Sequence, residues 1–202
     1  MPFYPKINLF FIHIPKTGGR NIENQLKKHS IQKLLGWKTS TIFPPKYRDC
    51  SPQHQTYKNI YQCREYFNID FDKVKIFTFV RNPYNRCLSA LKYKKLISRN
   101  TNQEKVYKAL QKFINSTNMD NHNLQQYKFI LDHNNNICEK IKIFKTEELN
   151  DINDKINKYI GVNVNYDKME SKDYMHLLNR HSINLINKVY KKDFDYFDYK
   201  LL

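Results

Sequence analysis

Phe10-Phe-Ile-His-Ile-Pro-Lys16-Thr-Gly18-Gly19-Arg20-Asn21 sets an apolar strand, a tight Gly-Gly turn carrying one lysine and the start of a helix in unbroken succession. Leu9 to Ile14 is apolar enough for a strand buried in a parallel sheet, and Glu23, Leu26 and Lys27 carry the period of an amphipathic helix. Adjacent glycines allow positive φ and bring successive N–H groups close to a ligand. The new helix leaves its first N–H groups unpaired at the positive end of its dipole, which suits a phosphate. Lys16 adds a mobile full charge beside those donors. The order differs from the nucleotide P-loop, because the lysine precedes the glycines and no hydroxyl follows to hold magnesium.

A second segment has the same logic. Val74 to Val80 is rich in β-branched and aromatic residues and reads as an interior strand that ends at Arg81-Asn82-Pro83. Pro83 at a first helical position with Asn82 as N-cap starts a helix. Arg81 then stands at the carboxyl end of a strand, where open α/β sheets bind ligands, and Ser89 lies about two turns into the helix.

Ile14-Pro-Lys-Thr-Gly-Gly19 followed by Phe79-Val-Arg81-Asn-Pro83-Tyr-Asn-Arg86-Cys-Leu-Ser89-Ala resembles the paired signatures of the carbohydrate sulfotransferase family that includes the chondroitin and heparan enzymes. Three later segments extend the resemblance over nearly the whole chain: Asn121-His122 to Gln126, Ile141 to Leu149, and Val189-Tyr190 to Tyr199. It implies a three-layer α/β/α fold with a central parallel sheet of the P-loop nucleotide-hydrolase kind. It also implies transfer of a sulfuryl group from PAPS (3′-phosphoadenosine 5′-phosphosulfate) to a hydroxyl, leaving PAP as product, with no metal. Lys16, Thr17, Gly18, Gly19, Arg20 and Asn21 would hold the 5′-phosphosulfate, and Arg81 with Ser89 the 3′-phosphate. Family loops usually carry hydroxyls where this chain has Arg20 and Asn21, and an aspartate where it has Asn85.

Such a reaction needs a proton acceptor, and a neutral imidazole suits it. His54, in a His-x-x-Tyr element like that of some family members, is the first choice, with Lys16 neutralising the leaving oxygen. His122 is the alternative base or an acceptor contact, and Gln126 is expected with it at the acceptor, a hydroxyl-bearing partner of the glycan class. His13 reads as a core histidine bonded to the backbone beneath the loop, and Arg86 as either a phosphate contact or a structural cation.

The 202 residues, 40% hydrophobic, fit one domain over 1–202. The formal charge of +16, from 35 Lys and Arg against 19 Asp and Glu, favours polyanions, although Lys, Asn, Ile and Tyr abundance together is also what AT-biased coding yields. Two other classes remain at this point: a phosphotransferase using ATP and magnesium, and a non-catalytic polyanion or nucleic-acid binder; nucleic acid is not the expected partner. Cys50, Cys63, Cys87 and Cys138 lack zinc spacing and read as free thiols, a Cys50–Cys63 bridge being the alternative. No apolar run is long enough for a membrane span, so a cytoplasmic protein is expected.

Helices are expected near Asn21–His29, Tyr57–Phe67, Pro83–Ile97, Gln103–Asn115, Asn123–Asp132, Glu147–Tyr159 and Ser182–Lys191. Strands are expected near Asn8–Ile14, Val74–Val80 and Lys140–Phe144, with a short one at Thr39–Phe43 in an irregular segment around Trp37.

Overall fold

The computed structural model describes residues 2–29, 43–166 and 174–202. The expected strand at Thr39–Phe43 and the segment around Trp37 fall largely outside these residues. The chain is a mixed α/β protein whose four described strands form one sheet in the order β1-β2-β3-β4. β2 (Leu9–Ile12) pairs parallel with β3 (Lys75–Val80), and β3 pairs parallel with β4 (Ile141–Lys145). The expectation of a wholly parallel sheet is corrected by β1 (Phe3–Tyr4), which lies antiparallel to β2.

Both faces of the sheet are covered, which explains why β2 and β3 read as continuous apolar runs. On one face Phe10, Ile12, Ile76, Val80 and Ile141 cluster with Tyr57 and Ile60 of α2 (Tyr57–Gln62). On the other, Leu9, Phe11, Phe77, Phe79 and Phe144 meet Ile22 and Leu26 of α1 (Gly19–Leu26) and Ile156 and Ile160 of α5 (Asn153–Ile160). A third cluster joins α3 (Pro83–Tyr93), α4 (Gln103–Asn115), α6 (Arg180–Val189) and α7 (Lys191–Tyr196).

α4 has the expected bounds, capped by the Asn102 side chain, which accepts the Lys105 N–H at 2.9 Å. Other expected helices are shorter: α2 ends at Gln62 rather than Phe67, and tertiary bonds account for two more. Residues 123–132 form only a 3-10 stretch, Gln126–Ile130, because the buried Asp193 carboxylate takes the N–H groups of Gln126 (2.8 Å) and Tyr127 (2.9 Å). After β4 the chain makes a 3-10 turn at Thr146–Glu148, and α5 begins only at Asn153. Here Glu147 is drawn away to the Asn82 N–H (2.8 Å) and the Tyr199 hydroxyl (2.9 Å). α3 stops at Tyr93 as Lys95 turns left-handed at φ 58°.

Candidate functional site

The strand-to-helix loop between β2 and α1 is shaped by two requirements. Lys16 (φ 69°) and Gly18 (φ 88°) take the left-handed conformation, so the chain reverses sharply into α1. Gly19 is needed for space instead: a Cβ there would lie 2.7 Å from His13 Cδ2 and 2.8 Å from Phe11 Cζ. Thr17 is buried; its hydroxyl donates to Ile14 O (2.8 Å), and its carbonyl accepts the Thr146 hydroxyl (2.7 Å).

A cleft of about 410 Å³ opens over this loop, lined by Lys16, Gly18, Gly19, Arg20, Arg81 and Ser89, with His54 and His122 at another part of its wall. The two segments singled out from sequence therefore share one concavity, and Arg81 Nη1 donates to Lys16 O at 3.3 Å. Neither Lys16, Arg20 nor Arg81 is in an ion pair among the described residues. Burial, then the Arg81 and Arg20 guanidinium groups, holds the Lys16 ammonium below the usual lysine range. Its Nζ stands 4.3 Å from the centre of the Tyr93 ring.

Three residues expected in the site do not line the cleft. Thr17 braces the loop from below, Asn21 accepts a hydrogen bond from the Gln25 amide, and Gln126 clamps the Arg81 backbone, accepting from its N–H (2.9 Å) and donating to its carbonyl (2.8 Å). Arg86 is structural: wholly buried, it donates to Pro15 O (3.0 Å), Leu124 O (2.8 Å) and His122 O (3.3 Å), tying α3 to the loop.

The histidine wall is a row of three imidazoles. His13 Nδ1 meets Glu23 Oε1 at 2.8 Å, so it is buried as expected but has a carboxylate rather than a backbone partner. Its ring meets His54 edge to face at 5.3 Å, and His54 meets His122 at 4.9 Å and 88°. His54 Nδ1 lies 2.7 Å from Asp120 Oδ2, while the Ser51 N–H (2.6 Å) and hydroxyl (3.0 Å) also donate to Asp120. Burial pushes the His54 pKa down against the pull of Asp120, and the His54 and Ser51 bonds bring the Asp120 carboxyl down to about 2 against its own burial. The pair is thus a neutral imidazole donating Nδ1–H to an ionised carboxylate. His122 donates Nδ1–H to Met119 O (2.9 Å) and stacks on Tyr93 at 5.2 Å; burial and the neighbouring His54 and Lys94 push its pKa down to about 3.

Asp120, Glu23, Gln53 and Tyr93 were not anticipated. Asp120 reaches the site through consecutive left-handed residues, Asp120 (φ 52°) and Asn121 (φ 59°), and carries no local motif. Tyr93 stands four residues beyond Ser89 on α3, a helical spacing that was available to find it.

Residues 83–162 match the family model of the E2 domain of amyloid precursor protein. The match covers 80 residues of 202, less than half of the chain, and is a likeness of that segment, from α3 to just past α5. No curated protein and no solved structure matches the chain. The E2 family is not a sulfotransferase family, and this match overturns the resemblance drawn above. The expected PAPS-dependent sulfuryl transfer, the enzyme assignment and the kinase alternative go with it. The positions of Lys16 and His54 on the cleft are unaffected. No helix of the described residues is long and apolar enough to cross a membrane.

Proposed function

We propose that the cleft binds a small ligand with two separated phosphate groups, of the nucleoside bisphosphate class to which PAPS and PAP belong. The observation that carries this reading is the gathering of Lys16, Arg20 and Arg81, without paired acids, around a helix start in one cleft. Burial, and then repulsion from the Arg81 and Arg20 charges, raises the energy of the Lys16 ammonium, as its lowered pKa records. A bound dianion relieves that repulsion and meets the free N–H groups of the α1 start.

In this reading the Gly18–Arg20 N–H groups and Lys16 take one phosphate, and Arg81 with Ser89 takes the other. Gln126 and Arg86 hold those two elements in register. A cleft of about 410 Å³ is in the size range of small-molecule sites. The finer fold reading, a three-layer α/β/α arrangement of the P-loop type, belongs to the same proposal; parallel β2, β3 and β4 with apolar clusters on both faces support it. A hydroxyl-bearing partner of the glycan class would meet the cleft at its histidine wall, where neutral His54 accepts a hydrogen bond at Nε2.

Calorimetric titration tests the proposal. PAP should bind more tightly than AMP, and magnesium-ATP should bind no better than AMP. Arg81→Ala should weaken PAP roughly ten- to a hundredfold, the scale of a hydrogen bond to a charged group, and leave AMP much less affected. Equal affinity of PAP and AMP, or PAP binding indifferent to Arg81→Ala, would overturn it.

A further inference from the structure

We propose that His54, Asp120 and His122 form a binding site for a divalent transition-metal ion of the zinc and cobalt class. One ligating atom from each of these residues lies within 4.8 Å of the others. Ligands of a tetrahedral ion at about 2.1 Å stand about 3.4 Å apart, so His54 Nδ1 and Asp120 Oδ2, which are 2.7 Å apart, must open by about 0.7 Å, while the remaining separations, all within 4.8 Å, settle to the same value. Two ring nitrogens with one carboxylate suit zinc, cobalt or iron rather than magnesium or calcium, which favour all-oxygen shells.

The supporting bonds have the form that metal sites use to fix their ligands. His122 is oriented by Nδ1–H donation to Met119 O (2.9 Å), leaving Nε2 as its lone-pair nitrogen. Asp120 keeps its Oδ1 bond to the Ser51 N–H (2.6 Å), while Oδ2, which also accepts the Ser51 hydroxyl (3.0 Å), faces His54 Nδ1. The ion enters between Oδ2 and Nδ1 in place of the shared proton. That proton passes to His54 Nε2, so the imidazole stays neutral and no redox change occurs. His54 and His122 line the cleft, which provides the route of entry and leaves a coordination position for solvent or a phosphate oxygen.

The test uses the full chain and metal alone, without nucleotide, so it can fail or succeed independently of the phosphate proposal. Zinc titrated calorimetrically should bind once per chain, cobalt should give the visible absorption of a low-coordinate site, and magnesium should give neither. His122→Ala and Asp120→Asn should each weaken zinc at least tenfold, while His133→Ala, stacked on Tyr61 outside the cluster, should not. Nitrogen-resolved NMR of the wild-type rings should show His54 changing from the Nδ1–H to the Nε2–H tautomer on adding zinc, a readout that does not depend on any variant folding. A wild type that binds no zinc, an unchanged His54 tautomer, or folded variants with wild-type affinity would overturn the proposal.

Discussion

Gly19 at the start of α1 and Gly161 at the end of α5 serve different physical ends, and substitution separates them. Gly19→Ala would drive a methyl into the His13 ring and Phe11, so it should cost about 1–3 kcal/mol in chemical denaturation, the range for overpacking a filled site. Gly161→Ala meets nothing within 4 Å and pays only for its left-handed backbone at φ 80°, about 1 kcal/mol. If the two lose the same stability, the crowding assigned to Gly19 is wrong. Lys16 makes a prediction about protons. Its pKa is lowered in the free protein, and a bound phosphate should raise it again. Between the two values the complex holds the proton that the free protein has released. Phosphate-ligand binding in the alkaline range below pH 10.5 should therefore take up a proton, and affinity should fall as pH rises through the lowered value. Calorimetry in two buffers of different ionisation enthalpy measures the uptake; Lys16→Met should abolish it, and persistence of the uptake in that variant would remove Lys16 from the phosphate site.

Helix α3 is held to the loop by one buried cation, and this link can be cut. Arg86 supplies Nε to Pro15, Nη1 to Leu124 and Nη2 to His122, and it faces the buried Asp193 carboxyl, which burial pushes up and Arg86 pulls down. Arg86→Met strands three carbonyls and an acid, so urea denaturation should show a loss of about 3–5 kcal/mol. Arg86→Lys keeps the charge without the planar fork and should fall between the two. A loss below about 1 kcal/mol in the Met variant would show that other contacts carry the junction. The same link marks what the sequence made legible. β2, β3, β4, the Pro83 helix start and α4 were readable because each carries its own signal: an apolar run, a cap or a period. Residues 123–132 were misread as a helix because Asp193, far along the chain, captures the Gln126 and Tyr127 N–H groups. β1 is only Phe3–Tyr4, too short to show any alternation. In the site, Lys16 and Arg81 were found by their places where a strand gives way to a helix, and Ser89, two turns into α3, through the family resemblance. Asp120 was not, because its role arises only when a left-handed turn carries it to His54 and Ser51.

At the scale of the whole molecule, 35 basic against 19 acidic side chains give a self-repelling surface, and only part of that charge belongs to the cleft. Salt should separate the two contributions. Chloride screens charges everywhere, so the melting temperature should rise smoothly with its concentration as the Debye length shrinks from about 30 Å at 0.01 M to about 10 Å at 0.1 M. Phosphate screens equally at matched ionic strength but also occupies the native cleft, adding RT ln(1 + [L]/Kd) to stability. The phosphate curve should therefore lie above the chloride curve by a margin that grows with concentration. Arg81→Ala should erase that margin while leaving the chloride rise intact, since it removes one charge of sixteen from the net excess but one of three cations from the cleft. A margin that survives in Arg81→Ala would mean that phosphate acts on the diffuse basic surface, and the gathered cations of the cleft would lose their claim to a specific anion.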